Sequence, residues 1–253
     1  MAETLHRARF SRPPLPLLLT EAPRAALELA SVAAAWPWLA SAPRGDGHPV
    51  LVLPGLFATD AYTTVLRSWL AGRGHAASGW DGGRNWGHWS ALEDRVLPAI
   101  ARLHAAHGRK VSLVGASMGG LYARAAACRV PHLVRNVVTL SSAVQPVGEA
   151  THVGPVYEAV TGQPADTLAA APAPVPGTSV YSRADGLSDW RPVLLPPAER
   201  TENVEVVASH LGMAWHPAVL YLVADRLAQP EQRWQPLEPP AWAAWWFPRV
   251  PRA

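Results

Sequence analysis

The sequence predicts an α/β protein built on a mostly parallel central sheet with helices on both faces. Three observations carry that expectation. Short uncharged aliphatic runs, among them 50–53 and 111–114, recur along the chain, as strands buried on both faces require. Segments of helical periodicity fall between such runs, the alternation that generates a parallel sheet. Gly115-Ala116-Ser117-Met118-Gly119 stands at one strand-to-helix junction and fits G-x-S-x-G, a motif whose meaning depends on that context.

Length and composition narrow the field. A chain of 253 residues, 49% of them hydrophobic, suits one large α/β domain or two small ones with a substantial core. The net charge of +3 is mild and the positive side is almost all arginine, Lys110 being the only lysine. The basic residues are scattered without aromatic interleaving, which argues against nucleic-acid binding. A single cysteine, Cys128, excludes an internal disulfide and a cysteine-based metal cluster, and reads as a small core residue. The apolar piece 15–19 is too short and too proline-broken for a signal-peptide core, so a cytoplasmic protein is expected. The apolar stretch 29–42 contains Pro37 and falls short of a membrane span, so no stable membrane insertion is expected.

Taken in order, residues 1–22 are rich in proline and arginine and read as extended or surface-wrapping. Thr20-Glu21-Ala22-Pro23 reads as a helix start, with a helix from about Pro23 to Ala35 ending before Pro37. Residues 43–47 form a turn, 48–53 a buried strand, and about 59–71 a helix opened by Thr59 and Asp60. A short strand is expected over 75–80, then a glycine-rich loop that lacks the dinucleotide-binding context. Residues 91–107 read as an amphipathic helix with Leu92, Val96, Ile100 and Leu103 on one face and a kink at Pro98. The serine strand and its helix come next, then a strand over 134–140. Residues 145–177 break the rhythm with repeated prolines; one short helix around 156–161 fits, and the segment reads as a cap insertion over the site or a long surface excursion. Strands over 178–182 and 203–208 and a helix over 217–228 complete the core. The tail, 229–253, is rich in proline and tryptophan and reads as an irregular arm. The expected division is therefore 1–47 as an N-terminal extension and helix, 48–228 as the core, and 229–253 as the arm.

Chemistry centres on Ser117. A serine is a poor nucleophile until a base takes its proton, and the base needs a partner that fixes its tautomer. Asp185 follows one predicted strand and His210 follows the last, so the order is Ser, Asp, His, each just past a strand end. Asp189 is the alternative acid and His216 the alternative base. The developing oxyanion needs donors: one is the amide after the nucleophile, Met118, and the other comes from Leu56 or Phe57 in the loop after the first strand. Glycines on either side of Ser117 leave room for a sharp turn between packed elements. The remaining histidines fit no metal template, and neither a metal nor a cofactor is expected.

The runs P-R-G-D-G-H-P-V-L-V-L-P-G, G-A-S-M-G-G, Y-S-R-A-D-G and S-H-L-G-M resemble the α/β-hydrolase superfamily, specifically its bacterial esterase- and lipase-like members, over about 26–227. The resemblance implies an α/β-hydrolase fold and ester hydrolysis through an acyl-enzyme. It also implies Ser117 as nucleophile, Asp185 as acid, His210 as base and the amides of Leu56 and Met118 as oxyanion donors. Pro54-Gly55 stands where many relatives carry His-Gly, a change a backbone donor survives. The same machinery serves an acyltransferase, and a catalytically silent binding protein on this fold is the reading from another class.

Overall fold

The computed structural model describes residues 10–248. Its sheet has six strands: β1 (Pro49–Leu53), β2 (Ala76–Gly79), β3 (Val111–Ala116), β4 (Val134–Leu140), β5 (Gly177–Tyr181) and β6 (Thr201–Glu205). They lie in the order β2-β1-β3-β4-β5-β6, and every pairing is parallel. The helices are α1 (Leu15–Leu19), α2 (Glu21–Leu39), α3 (Thr64–Gly72), α4 (Leu97–His107), α5 (Met118–Arg129), α6 (Gly154–Thr161) and α7 (Pro217–Ala228).

The aliphatic strands behave as doubly buried strands must. Along β1, Val50 and Val52 enter one core while Leu51 and Leu53 enter the other, a direct consequence of the two-residue period of a strand. The first core joins the sheet to α3, α7 and the end of α2; the second joins it to α4 and α5. The tail belongs to the first core. Trp242, Trp246 and Phe247 gather around Tyr221 of α7, with Trp246 and Phe247 almost wholly buried.

Several boundaries differ from the sequence expectation. Residues 15–19 form a short helix rather than extended chain. Helix α2 runs through Pro37 to Leu39, the bond lost at Pro37 being offset by Leu39, which is drawn fully into the core. In place of the expected kink at Pro98 there is a π-helical turn, Leu92–Val96, that runs without a break into α4 and accommodates the N–H that Pro98 lacks. The last strand starts and ends earlier than expected, at Thr201 and Glu205. Cys128 is exposed at the end of α5, not in the core. The expectations for residues 1–9 and 249–253 lie outside the described residues.

The strand order fixes where a site can form. From β1 the chain goes outward to β2, then returns past β1 to β3 and continues the other way. The loops leaving the carboxyl ends of β1 and β3 therefore diverge, opening the crevice at which open α/β sheets place their ligands.

Candidate active site

Ser117 stands between β3 and α5 with φ 49° and ψ −119°, a left-handed conformation that a side-chain-bearing residue adopts only under constraint. The constraint is packing. A Cβ on Gly115 would run into the backbone of Gly119, and one on Gly119 would run into the carbonyls of Leu53 and Pro54. Glycine lets strand, turn and helix close on each other, and Ser117 is held at the tip, half-buried, facing a cleft. The Met118 amide opens α5 and is one of the helix's unpaired N–H groups.

The loop after β1 runs beside it. A Cβ on Gly55 would sit 3.4 Å from the Ser117 Cβ, so the loop backbone passes very close to the serine. Neither the Leu56 nor the Met118 amide finds an acceptor among the described residues. The loop is pinned by Asn85, fully buried. Its Nδ2 donates to the Pro54 carbonyl (2.9 Å), its backbone carbonyl accepts from the Phe57 amide (2.6 Å), and its Oδ1 accepts from the Gly87 amide (3.0 Å). Nothing in the sequence singles out Asn85; it lies in the glycine-rich loop whose spacing is wrong for a dinucleotide.

Asp185 and His210 meet as expected. Asp185 Oδ2 lies 2.7 Å from His210 Nδ1, while Oδ1 accepts from the Leu187 (2.8 Å) and Ser188 (2.9 Å) amides. Burial works against charge on both partners, and the pair overrides it: His210 holds the Asp185 carboxyl below its usual range, and Asp185 holds the imidazole above its own. Ser117 Oγ and His210 Nε2 are taken up by no other partner among the described residues, so both are free for each other and for a substrate. The alternatives are held by other partners, although Asp189 also lines the cleft in front of Ser117. Asp189 accepts from the Ser11 amide (3.1 Å) and is paired with Arg191 (2.8 Å). His216 accepts from the Ala218 amide at the start of α7, and burial pushes it down to about 4.

The cleft in front of Ser117 is walled by Leu56, Met118 and Leu121 on one side and by Val147, Val153 and Leu168 on the other. The residues of that second wall, Val147, Val153 and Leu168, belong to the segment 145–177. Its base is held by Arg124 of α5, fully buried and without a carboxylate partner among the described residues. Arg124 donates instead to Thr139 Oγ1 and to the carbonyls of Ala143, Ser142 and Ala170, and burial brings it down to about 9. Ser141, also on the cleft, has φ 48° and a buried hydroxyl with no partner among the described residues.

A second Ser-His-Asp network lies at the opposite, amino edge of the sheet, and sequence reasoning missed it. Asp46 Oδ1 is 2.6 Å from His48 Nδ1, and His48 Nε2 is 2.8 Å from Ser112 Oγ. Asp46 also pairs with Arg109 and Arg135. Its atoms are ordered like a catalytic relay, but Ser112 lies inside β3 and both Ser112 and His48 are completely buried. No ester carbonyl reaches that hydroxyl without opening the sheet.

The chain matches the model of the Esterase family ("Putative esterase") over residues 56–244. It belongs to that family. Its sheet and helices form an α/β-hydrolase fold that carries Ser117 and the Asp185–His210 pair on the carboxyl side of the strands. No curated protein matches it. Among solved structures, it superposes on Aspergillus fumigatus lipase B with TM-score 0.54 at 19% identity, over 75% of this chain and 55% of that one. The Paleococcus ferrophilus monoacylglycerol lipase gives 0.50 at 17%, over 70% of this chain and 96% of that one. The mouse α/β hydrolase domain-containing protein 10 gives 0.51 at 14%, over 72% and 88%. The esterase thus spans little more than half the length of the Aspergillus lipase, and at these identities the likeness is one of fold. None of its described helices is long and apolar enough to cross a membrane.

Proposed function

We propose that Ser117 is the nucleophile of this esterase, His210 its general base and Asp185 the group that orients and stabilises the imidazolium. The observation carrying the assignment is the 2.7 Å Asp185–His210 contact at the carboxyl edge of the sheet, in the same rim as the strained serine. The Ser117 hydroxyl adds to the ester carbonyl while its proton passes to His210 Nε2. The carbonyl oxygen becomes an oxyanion facing the Leu56 and Met118 amides. The alcohol leaves with the proton from His210, and water, deprotonated by the same imidazole, releases the acid and regenerates Ser117. The mostly apolar lining of the cleft favours esters with an uncharged hydrocarbon acyl or alkyl group.

The test compares two serines. Ser117→Ala should lower aryl-ester turnover by several orders of magnitude and abolish labelling by a fluorophosphonate, with the fold intact. Ser112→Ala, at the amino-edge network, should leave turnover within about twofold. The opposite pattern would move the nucleophile to Ser112.

A further inference from the structure

Helix α2 is outside the α/β core in sequence yet begins at the catalytic rim. Glu21, its first residue, is 3% exposed. Its Oε1 accepts from the amides of Gly186 (2.7 Å) and His210 (3.0 Å), and its Oε2 from the amide of Leu211 (2.9 Å). One carboxylate thus ties together the loop carrying Asp185 and the loop carrying His210, loops that come from two different strands. Arg24, one turn on, donates to Glu21 (2.8 Å) and to the Ala184 carbonyl (2.8 Å). Glu28, a further turn on, accepts from the Ser209 amide (2.7 Å) and hydroxyl (2.6 Å).

Three backbone amides and a guanidinium converging on one buried carboxylate is costly to arrange for an inert helix end. A carboxylate in water already has all the hydrogen bonds it needs, and moving it inward gains stability only when the new donors are well placed. We propose that Glu21 is a positioning residue for the Asp185–His210 pair: it fixes the two loops in register and sets a second negative charge behind the imidazole. The proposal rests on the assignment of His210 as base. Glu21 acts through the loop backbone and touches neither Ser117 nor the cleft.

The charges facing His210 are Asp185 from the β5 loop and Glu21 from α2, with Arg24 partly neutralising the latter. Glu28 lies beyond Ser209, and the half-buried Tyr62 faces Asp185, Glu21 and Glu28. Burial pushes the imidazole down and Asp185 raises it most, with Glu21 adding in the same direction. Removing the Glu21 charge therefore lowers the pH at which His210 loses its proton. The acid limb of the rate profile moves down with it, since the neutral imidazole is the active form.

The experiment is a pH–rate profile for a p-nitrophenyl ester with wild type, Glu21→Gln and Glu21→Asp. In Glu21→Gln the amide keeps one oxygen but turns an NH2 toward backbone donors. The expected result is a kcat loss of about 10²-fold with KM changed less than about threefold. The acid limb should also move down by about half a pH unit or more. Glu21→Asp retains the charge one methylene short of the amides. Its limb should stay within about 0.3 units of wild type while kcat still falls about tenfold. Should Glu21→Gln fail to fold, Glu21→Asp decides: wild-type kcat there overturns the proposal. A Glu21→Gln that loses melting temperature but keeps kcat and limb is a purely structural anchor and also overturns it. If Ser117→Ala keeps turnover, the assignment beneath the proposal has failed instead, and the Glu21 result cannot rescue it.

Discussion

Replacing Asp185 by asparagine removes one charge and relocates one proton, and the hydrogen bonds around the carboxylate determine the outcome. Oδ1 of Asp185 is committed to the Leu187 and Ser188 amides, both donors, so an asparagine places its own oxygen there. Its NH2 then takes the position of Oδ2, 2.7 Å from His210 Nδ1. Nδ1 becomes an acceptor, the ring proton moves to Nε2, and the nitrogen facing Ser117 can no longer take the serine proton. The variant also loses the carboxylate that favours the imidazolium. Together these predict a drop of about 10⁴-fold in kcat, or about 5 kcal/mol of transition-state stabilisation, with a small change in melting temperature. The assay is initial-rate hydrolysis of a p-nitrophenyl ester, saturating in substrate, between about pH 5 and 9, beside thermal unfolding. Because Asp185 holds the imidazole above the ordinary 6.5, the wild-type rate should still be rising with pH above that value. The asparagine variant should lack that limb. Turnover within tenfold of wild type, with the limb in place, would refute the assignment of Asp185.

Two further perturbations test the supports. Asn85→Ala leaves the backbone bonds of the Leu56 loop but strips the Pro54 carbonyl and the Gly87 amide of buried partners. It should cost about 1–3 kcal/mol in stability and reduce kcat about ten- to a hundredfold through the displaced oxyanion donor; unchanged kcat in a destabilised variant would remove Asn85 from the catalytic support. At the amino edge, His75 is buried with both ring nitrogens unpartnered among the described residues, and burial pushes it down to about 4. Its folded value lies below its unfolded one, so the unfolded chain binds the extra proton, and this stability is present above pH 6.5 and lost as pH falls toward about 4. Unfolding monitored from about pH 7 to 4.5 should show that loss, and His75→Leu should flatten it; an equal slope in the variant would place the acid sensitivity elsewhere.

The parts of this molecule that were legible in the sequence are those whose physics is local. A strand buried on both faces reads as a largely aliphatic run, so β1, β3 and β4 announce themselves, even with Ser112 in β3 and Arg135 and Asn136 in β4. A serine on a sharp turn needs its glycines beside it in the chain, and the G-A-S-M-G-G run states the motif and its packing at once. Asp185 and His210 were recognisable because the parallel order puts every strand's carboxyl end on one rim, which turns sequence position directly into place. The boundaries that slipped did so where tertiary packing overrode a local rule: Leu39 pulled α2 past its proline, and the π-turn before α4 absorbed Pro98.

What the sequence hid is long-range. Glu21 looked like an ordinary acid in the first turn of a helix, where a negative charge is favoured by the helix dipole alone. Nothing nearby shows that its carboxylate closes on amides of residues 186, 210 and 211. Asp46, His48 and Ser112 hid in the opposite sense, since an R-G-D-G-H turn and a strand serine give no sign of meeting. Once they meet, distances alone make them resemble a catalytic relay as closely as Asp185 and His210 do. Position separates the two. A relay does chemistry only where a substrate can approach the hydroxyl and where amide dipoles wait for the negative charge. The carboxyl rim supplies a cleft, a half-buried serine and, among the described residues, two unpaired N–H groups, while at the amino edge the serine and its imidazole partner are both completely buried. The same three side chains are a machine at one end of a parallel sheet and a staple at the other, and the direction in which the strands run decides which.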